Sequence, residues 1–119
     1  MSIFSRLFGT KPQPVSPQSE QAVLVYLDGQ SLPTEVYEQN DLATLEDQLT
    51  EAIDSSALGE FDGNEMGPTE VVLYMYGPSA EALFEIIEPI LRAYPLCAKS
   101  RVIVRQGGPG AKEREIRLP

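Results

Sequence analysis

Apolar and polar residues fall into blocks along this chain, and each block has its own period. Residues 22–27, Ala-Val-Leu-Val-Tyr-Leu, are almost continuously apolar. That is the pattern of a strand covered on one face and partly on the other. Asp28 and Gly29 end it with turn chemistry. Residues 30–40 show no clear period, and Pro33 argues against a central strand there. Asp41 is placed to cap a helix. After it, Leu42, Leu45, Leu49, Ala52 and Ile53 recur at spacings of three and four, predicting a helix over 42–54. Residues 57–61 can pair as a short strand, and the acidic stretch 62–68 then reads as a turn. Over 70–76, Val71, Leu73 and Met75 point one way and Val72, Tyr74 and Tyr76 the other, the alternation of a half-covered strand. Gly77 and Pro78 stop it.

A second helix follows, with Leu83, Ile86, Ile87, Ile90, Leu91 and Tyr94 on one stripe. Pro89 lies inside it and predicts a kink or an early end, because proline removes one backbone donor. Residues 101–105 alternate again, with Val102 and Val104 on one face and Arg101, Ile103 and Arg105 on the other. Gly107-Gly108-Pro109-Gly110 forms a turn, and residues 113–118 return as a charged edge strand. The order β-α-β-β-α-β, with this added strand, predicts the α+β class. The expected form is a ferredoxin-like split βαβ sandwich: an antiparallel sheet of four or five strands with two helices on one face.

Ahead of this domain (21–119) lie two other segments. Residues 1–9 place Ile3, Phe4, Leu7 and Phe8 at helical spacing. Residues 10–20 carry Pro12, Pro14 and Pro17 and read as an extended linker. The apolar octet is too short and interrupted for a secretory signal. It offers at most weak membrane contact, since stable anchoring usually needs two signals.

Charge narrows the function classes. The 119 residues carry a net charge of −9, which disfavours nucleic acid as a partner because phosphates attract Lys and Arg. The distribution is uneven: residues 92–119 hold seven of the nine bases and two of the eighteen acids. With no histidine and a single cysteine, Cys97, the usual thiol and serine triads and the commonest zinc ligand are missing. One cysteine also rules out an internal disulfide and fits a reducing, cytoplasmic location. No motif calls for a cofactor.

The densest polar cluster is Glu60, Asp62, Asn64 and Glu65, interspersed with Gly59, Gly63 and Gly67. Four oxygen-bearing side chains on a flexible backbone could bind a basic partner or cradle a hard cation. An EF-hand loop is excluded: starting at Asp62, its fifth position is Met66 and its twelfth is Leu73, where a bidentate Glu is required. Gly77-Pro78 before a helix could expose amides to an anion, but a simple turn accounts for it better.

The segment Gly59-Glu60-Phe61-Asp62-Gly63-Asn64-Glu65-Met66-Gly67, with Leu73-Tyr74-Met75-Tyr76-Gly77-Pro78 and Leu83-Phe84 after it, resembles a family of small uncharacterised bacterial proteins. The resemblance covers about residues 57–110. It implies a compact bacterial cytoplasmic domain and carries over no catalytic residue. Three functional expectations result. The leading one is a non-catalytic interaction or regulatory module that meets another protein through the acidic stretch 59–67. The others are a metal-assisted enzyme using the same carboxylates and an assembly or peripheral membrane protein acting through residues 3–8.

Overall fold

The computed structural model describes residues 20–119. The apolar octet with Ile3, Phe4, Leu7 and Phe8, and the proline-rich segment up to residue 19, lie outside the described residues. Five strands form one antiparallel sheet: β1 (Gln21–Asp28), β2 (Glu60–Met66), β3 (Glu70–Gly77), β4 (Arg101–Arg105) and β5 (Glu113–Arg117). Their order across the sheet is β2-β3-β1-β4-β5, so β1 is central and β2 and β5 are the edges. Helices α1 (Thr34–Gln39) and α2 (Leu42–Ser56) lie between β1 and β2, and α3 (Ala80–Ala93) lies between β3 and β4.

The core sits between α2, α3 and one face of the sheet. Val23, Val25, Leu73, Met75, Val102 and Val104 point there and are essentially fully buried, as the period of two requires. Leu45, Leu49 and Ile53 of α2 and Leu83, Ile87 and Leu91 of α3 meet them. Phe84 and Ala80 are buried too, widening the α3 stripe beyond the expected positions. A separate cluster occupies the opposite, helix-free face. There Ala22, Leu24 and Ile103 are flanked by the half-buried Tyr26, Tyr74 and Tyr76.

Three local expectations are corrected. Helix α3 runs unbroken past Pro89 to Ala93. Pro89 and Glu85, the residue whose carbonyl loses its partner, are both exposed, so water can satisfy that oxygen while buried residues on both sides hold the helix to the sheet. Second, the aperiodic stretch 30–40 contains α1, a helix of only six residues with none fully buried, too short to show a period. Third, the acidic stretch is a strand rather than a turn. Pairing continues to Met66, and the reversal is confined to Gly67–Thr69, where the Gly67 N–H donates to the Glu70 carbonyl at 2.8 Å.

Candidate binding surface on the β2 edge

Strand β2 pairs with β3 on one side only. A bulge breaks its register between Phe61 and Gly63, and Gly63 occupies φ +120° there, a conformation that side chains strongly disfavour. The bulge decides where the four candidate residues point. Glu60 pairs with Tyr76 and Glu65 with Val72, which puts both on the helix-free side. Asp62 is the unpaired bulge residue, and its charge helps to raise the Tyr76 hydroxyl pKa, behind the larger effect of burial. Asn64 pairs with Leu73 and therefore faces the helices, where its Nδ2 donates to the Glu46 carboxylate of α2.

The four are thus divided between the two faces of an edge strand. Glu60, Asp62 and Glu65 share one rim, while Asn64 is committed to the other. Among the described residues no group of three or more His, Cys, Asp or Glu side chains could jointly hold a metal ion. Glu65 has one partner on its own face: the Tyr74 hydroxyl donates to it at 2.7 Å. That bond, to the phenol's neutral form, pushes the Tyr74 pKa up to about 12, with burial and the carboxylate's charge adding to it.

At its far end β2 delivers Met66 to the mouth of a cleft. Met66 is 67% exposed, the one large exposed hydrophobic among the described residues. The cleft has a volume of about 330 Å³, and Leu27, Tyr37, Leu42, Val71 and Leu96 supply its apolar wall. Asp28, Asn40 and Asp41 stand at its polar margin. Tyr37 braces one wall: its hydroxyl donates to the Asp28 carbonyl at 3.0 Å and accepts the Leu32 N–H at 3.1 Å. The Asp28 carboxylate is charged and occupied. Bonds from the Ser31 hydroxyl and from the Gln30 and Ser31 amides hold its pKa down to about 2. Asp41 caps no amide with its side chain, which leaves its carboxylate at the cleft margin.

Sequence reading did not find this cleft. Its wall comes from α1, the end of β1, the start of β3 and the short 3-10 helix Pro95–Cys97. The one local signal was an apolar Met66 amid acidic and glycine residues.

Other candidates resolve into structure. Cys97 is buried, and burial pushes its thiol up to about 12, which makes it a poor nucleophile. Two of the three amides opening α3 are already taken: Ala80 N–H donates to Gln21 Oε1 at 2.8 Å and Ala82 N–H to Ser79 Oγ at 3.2 Å. Gly77 serves a close approach, since a Cβ there would lie 2.2 Å from the Leu58 carbonyl oxygen. No helix among the described residues is long and apolar enough to cross a membrane. Comparison with known proteins finds no matching family model, curated protein or solved structure.

Proposed function

We propose that this chain is a small, non-catalytic protein-interaction module that takes a basic, extended segment of a partner along β2. One observation carries the reading: an unpaired edge strand lined by Glu60, Asp62 and Glu65 leads directly into an apolar cleft at Met66. Free edge amides and carbonyls suit an added strand. The carboxylates select cationic side chains and speed encounter at low salt, and the cleft accepts one apolar side chain. The same acids repel a second acidic edge, so β2 discriminates between partners by charge.

The test is selection of peptides from a random displayed library against the folded chain. Binders should carry Lys or Arg at alternate positions and an apolar residue at one end. Their affinity should fall with added salt and drop at least about tenfold with Glu60→Gln/Asp62→Asn. Met66→Asp should weaken the same peptides without altering the melting temperature. Selected peptides without basic residues, or indifferent to both variants, would refute the assignment.

We further infer a ferredoxin-like split βαβ arrangement extended by β5. It is supported by β3 lying between β1 and β2, by β4 on the other side of β1, and by helices on one face. Kinship with the small bacterial proteins that share the Gly59–Gly67 motif, and a cytoplasmic location, belong to the same proposal.

A further inference from the structure

The apolar cleft at Met66 has a matching segment in the chain itself. Met66, at the cleft mouth, is 67% exposed. The volume of about 330 Å³ lies at the lower end for ligand pockets and suits one large aromatic side chain. The margin is acidic. The Asp41 carboxylate is exposed and caps no amide. Asp28 stays ionised down to about pH 2, and Lys99 is the base that acts on it.

We propose that the N-terminal segment of the chain occupies this cleft in the same molecule, with Phe4 or Phe8 against the apolar wall and Arg6 toward Asp41. The inference rests on the reading of the cleft and the β2 edge as a binding surface, and it makes the segment a built-in competitor for the partner. Residues 1–19, which lie outside the described residues, contain Ile3, Phe4, Leu7 and Phe8 together with Arg6 and Lys11, and no acid. The described residues hold all eighteen acids and seven of the nine bases. The segment thus has the composition that an apolar cleft with an acidic margin selects: basic, with large apolar side chains.

The reach is sufficient. The segment joins the domain at Gln21, the first residue of β1, and the cleft is built around Leu27, Asp28 and Gly29 at the other end of that strand. The length of β1 is about 24 Å, and turning from its end into the cleft adds one or two strand spacings, roughly 5–10 Å. Residues 9–20 can span about 37 Å at the extended rise of a proline-rich chain, about 3.1 Å per residue. A tether of this length sets the concentration of the segment at the cleft on the order of 1 mM. An intrinsic dissociation constant of about 0.1 mM then fills the cleft in roughly nine molecules of ten, so a contact of one or two side chains suffices. A neighbouring copy matches that concentration only when the protein itself is near about 1 mM, which favours docking within one molecule.

The chain has no tryptophan, so Phe4→Trp and Phe8→Trp, made separately in the full chain, each supply a single fluorescent reporter. In at least one of them, acrylamide quenching should be at least about threefold weaker than in the same variant carrying Met66→Asp, and unchanged between about 1 and 100 μM protein. Circular dichroism checks that each variant stays folded. Reporters quenched alike with and without Met66→Asp overturn the proposal. So does protection lost on dilution, which assigns the segment to the cleft of a neighbouring copy. The peptide selection keeps the two readings apart. Exposed reporters in a chain whose selected peptides still require Met66 sink this inference alone. A protected reporter in a chain that selects no basic peptide sinks the partner reading alone.

Discussion

Replacing Gly59 by alanine should destabilise the fold through one contact. The backbones at Gly59 and Gly77 touch. A Cβ on Gly59 would lie 2.2 Å from the Tyr76 carbonyl oxygen and 3.2 Å from the Gly77 Cα. Neither glycine has a positive φ, so alanine fits the backbone angles and the clash alone is tested. Relieving it requires β2 to move roughly 1 Å from β3 at the end where Glu60 pairs with Tyr76. Overpacking of this kind costs about 1–3 kcal/mol, or about 4–8 °C in melting temperature per kcal/mol for a domain near this size. Thermal and urea melts of Gly59→Ala against wild type measure it. Exposed Glu60→Ala, expected within about 0.5 kcal/mol, is the control. Gly77→Ala opens the same contact from the other side, with its Cβ 2.2 Å from the Leu58 carbonyl. The double variant should therefore cost less than the sum of the singles. A Gly59→Ala protein within about 0.5 kcal/mol of wild type would refute the close-packing argument.

Four further outcomes are expected. Ala57 ends α2 at φ 58°, so Ala57→Gly should stabilise the chain by about 0.5–1 kcal/mol, relief of left-handed strain exceeding the added unfolded-state entropy; a destabilised variant in urea melts would contradict this. Cys97 should resist a thiol reagent at pH 8 in the folded chain and react fully in denaturant, because burial keeps it protonated. Tyr74 should ionise near pH 12, and Glu65→Gln should bring it back toward 10, read by absorbance titration against a Tyr74→Phe blank. As this phenol is raised above its unfolded value, its stabilising contribution is whole below pH 10 and is lost as pH rises to about 12. Asp28 has the opposite sign: its depressed pKa contributes stability above about pH 4 that fades as pH falls to about 2. Its carboxyl resonance should titrate near 2 in the wild type and rise in Ser31→Ala.

The alternating strands were legible because their side-chain period survives intact. Val71, Leu73 and Met75 face the helices and Tyr74 and Tyr76 the open side, as read from sequence. The same holds for Val102 and Val104 against Ile103. Helix α2 was legible through Leu45, Leu49 and Ile53, the three residues it buries. Strand β2 was legible only at its start, where the strand expected over 57–61 overlaps it at Glu60 and Phe61, and one inserted residue accounts for the rest. Phe61 faces the core and, without the bulge, Gly63 would too. The extra residue shifts the inward set to Asn64 and Met66, one polar and one at a rim. A stretch with three acids and an interrupted period reads as a turn. The cleft was beyond reach for another reason: α1 and the 3-10 helix are short, and their apolar residues converge only through tertiary contacts.

Charge illustrates the same limit. Along the chain the bases gather near the end, which reads as a solvated strand face complementing the acidic body. In the fold these bases are shared between the two faces of the sheet. Arg114 turns to the helix side and binds Glu81 of α3 through two bonds of 2.8 and 2.7 Å, which helps to hold edge strand β5 in place. Arg101 and Arg117 turn to the open side, where Arg101 lies over Tyr26 and approaches Glu70 at 3.7 Å. Antiparallel pairing then places this open-side remainder at the opposite end of the sheet from Glu60, Asp62 and Glu65. On that face the β2 side is purely acidic, whereas the β4–β5 side mixes Arg101, Arg105 and Arg117 with Glu113 and Glu115, and it is this lateral pattern that a partner would meet.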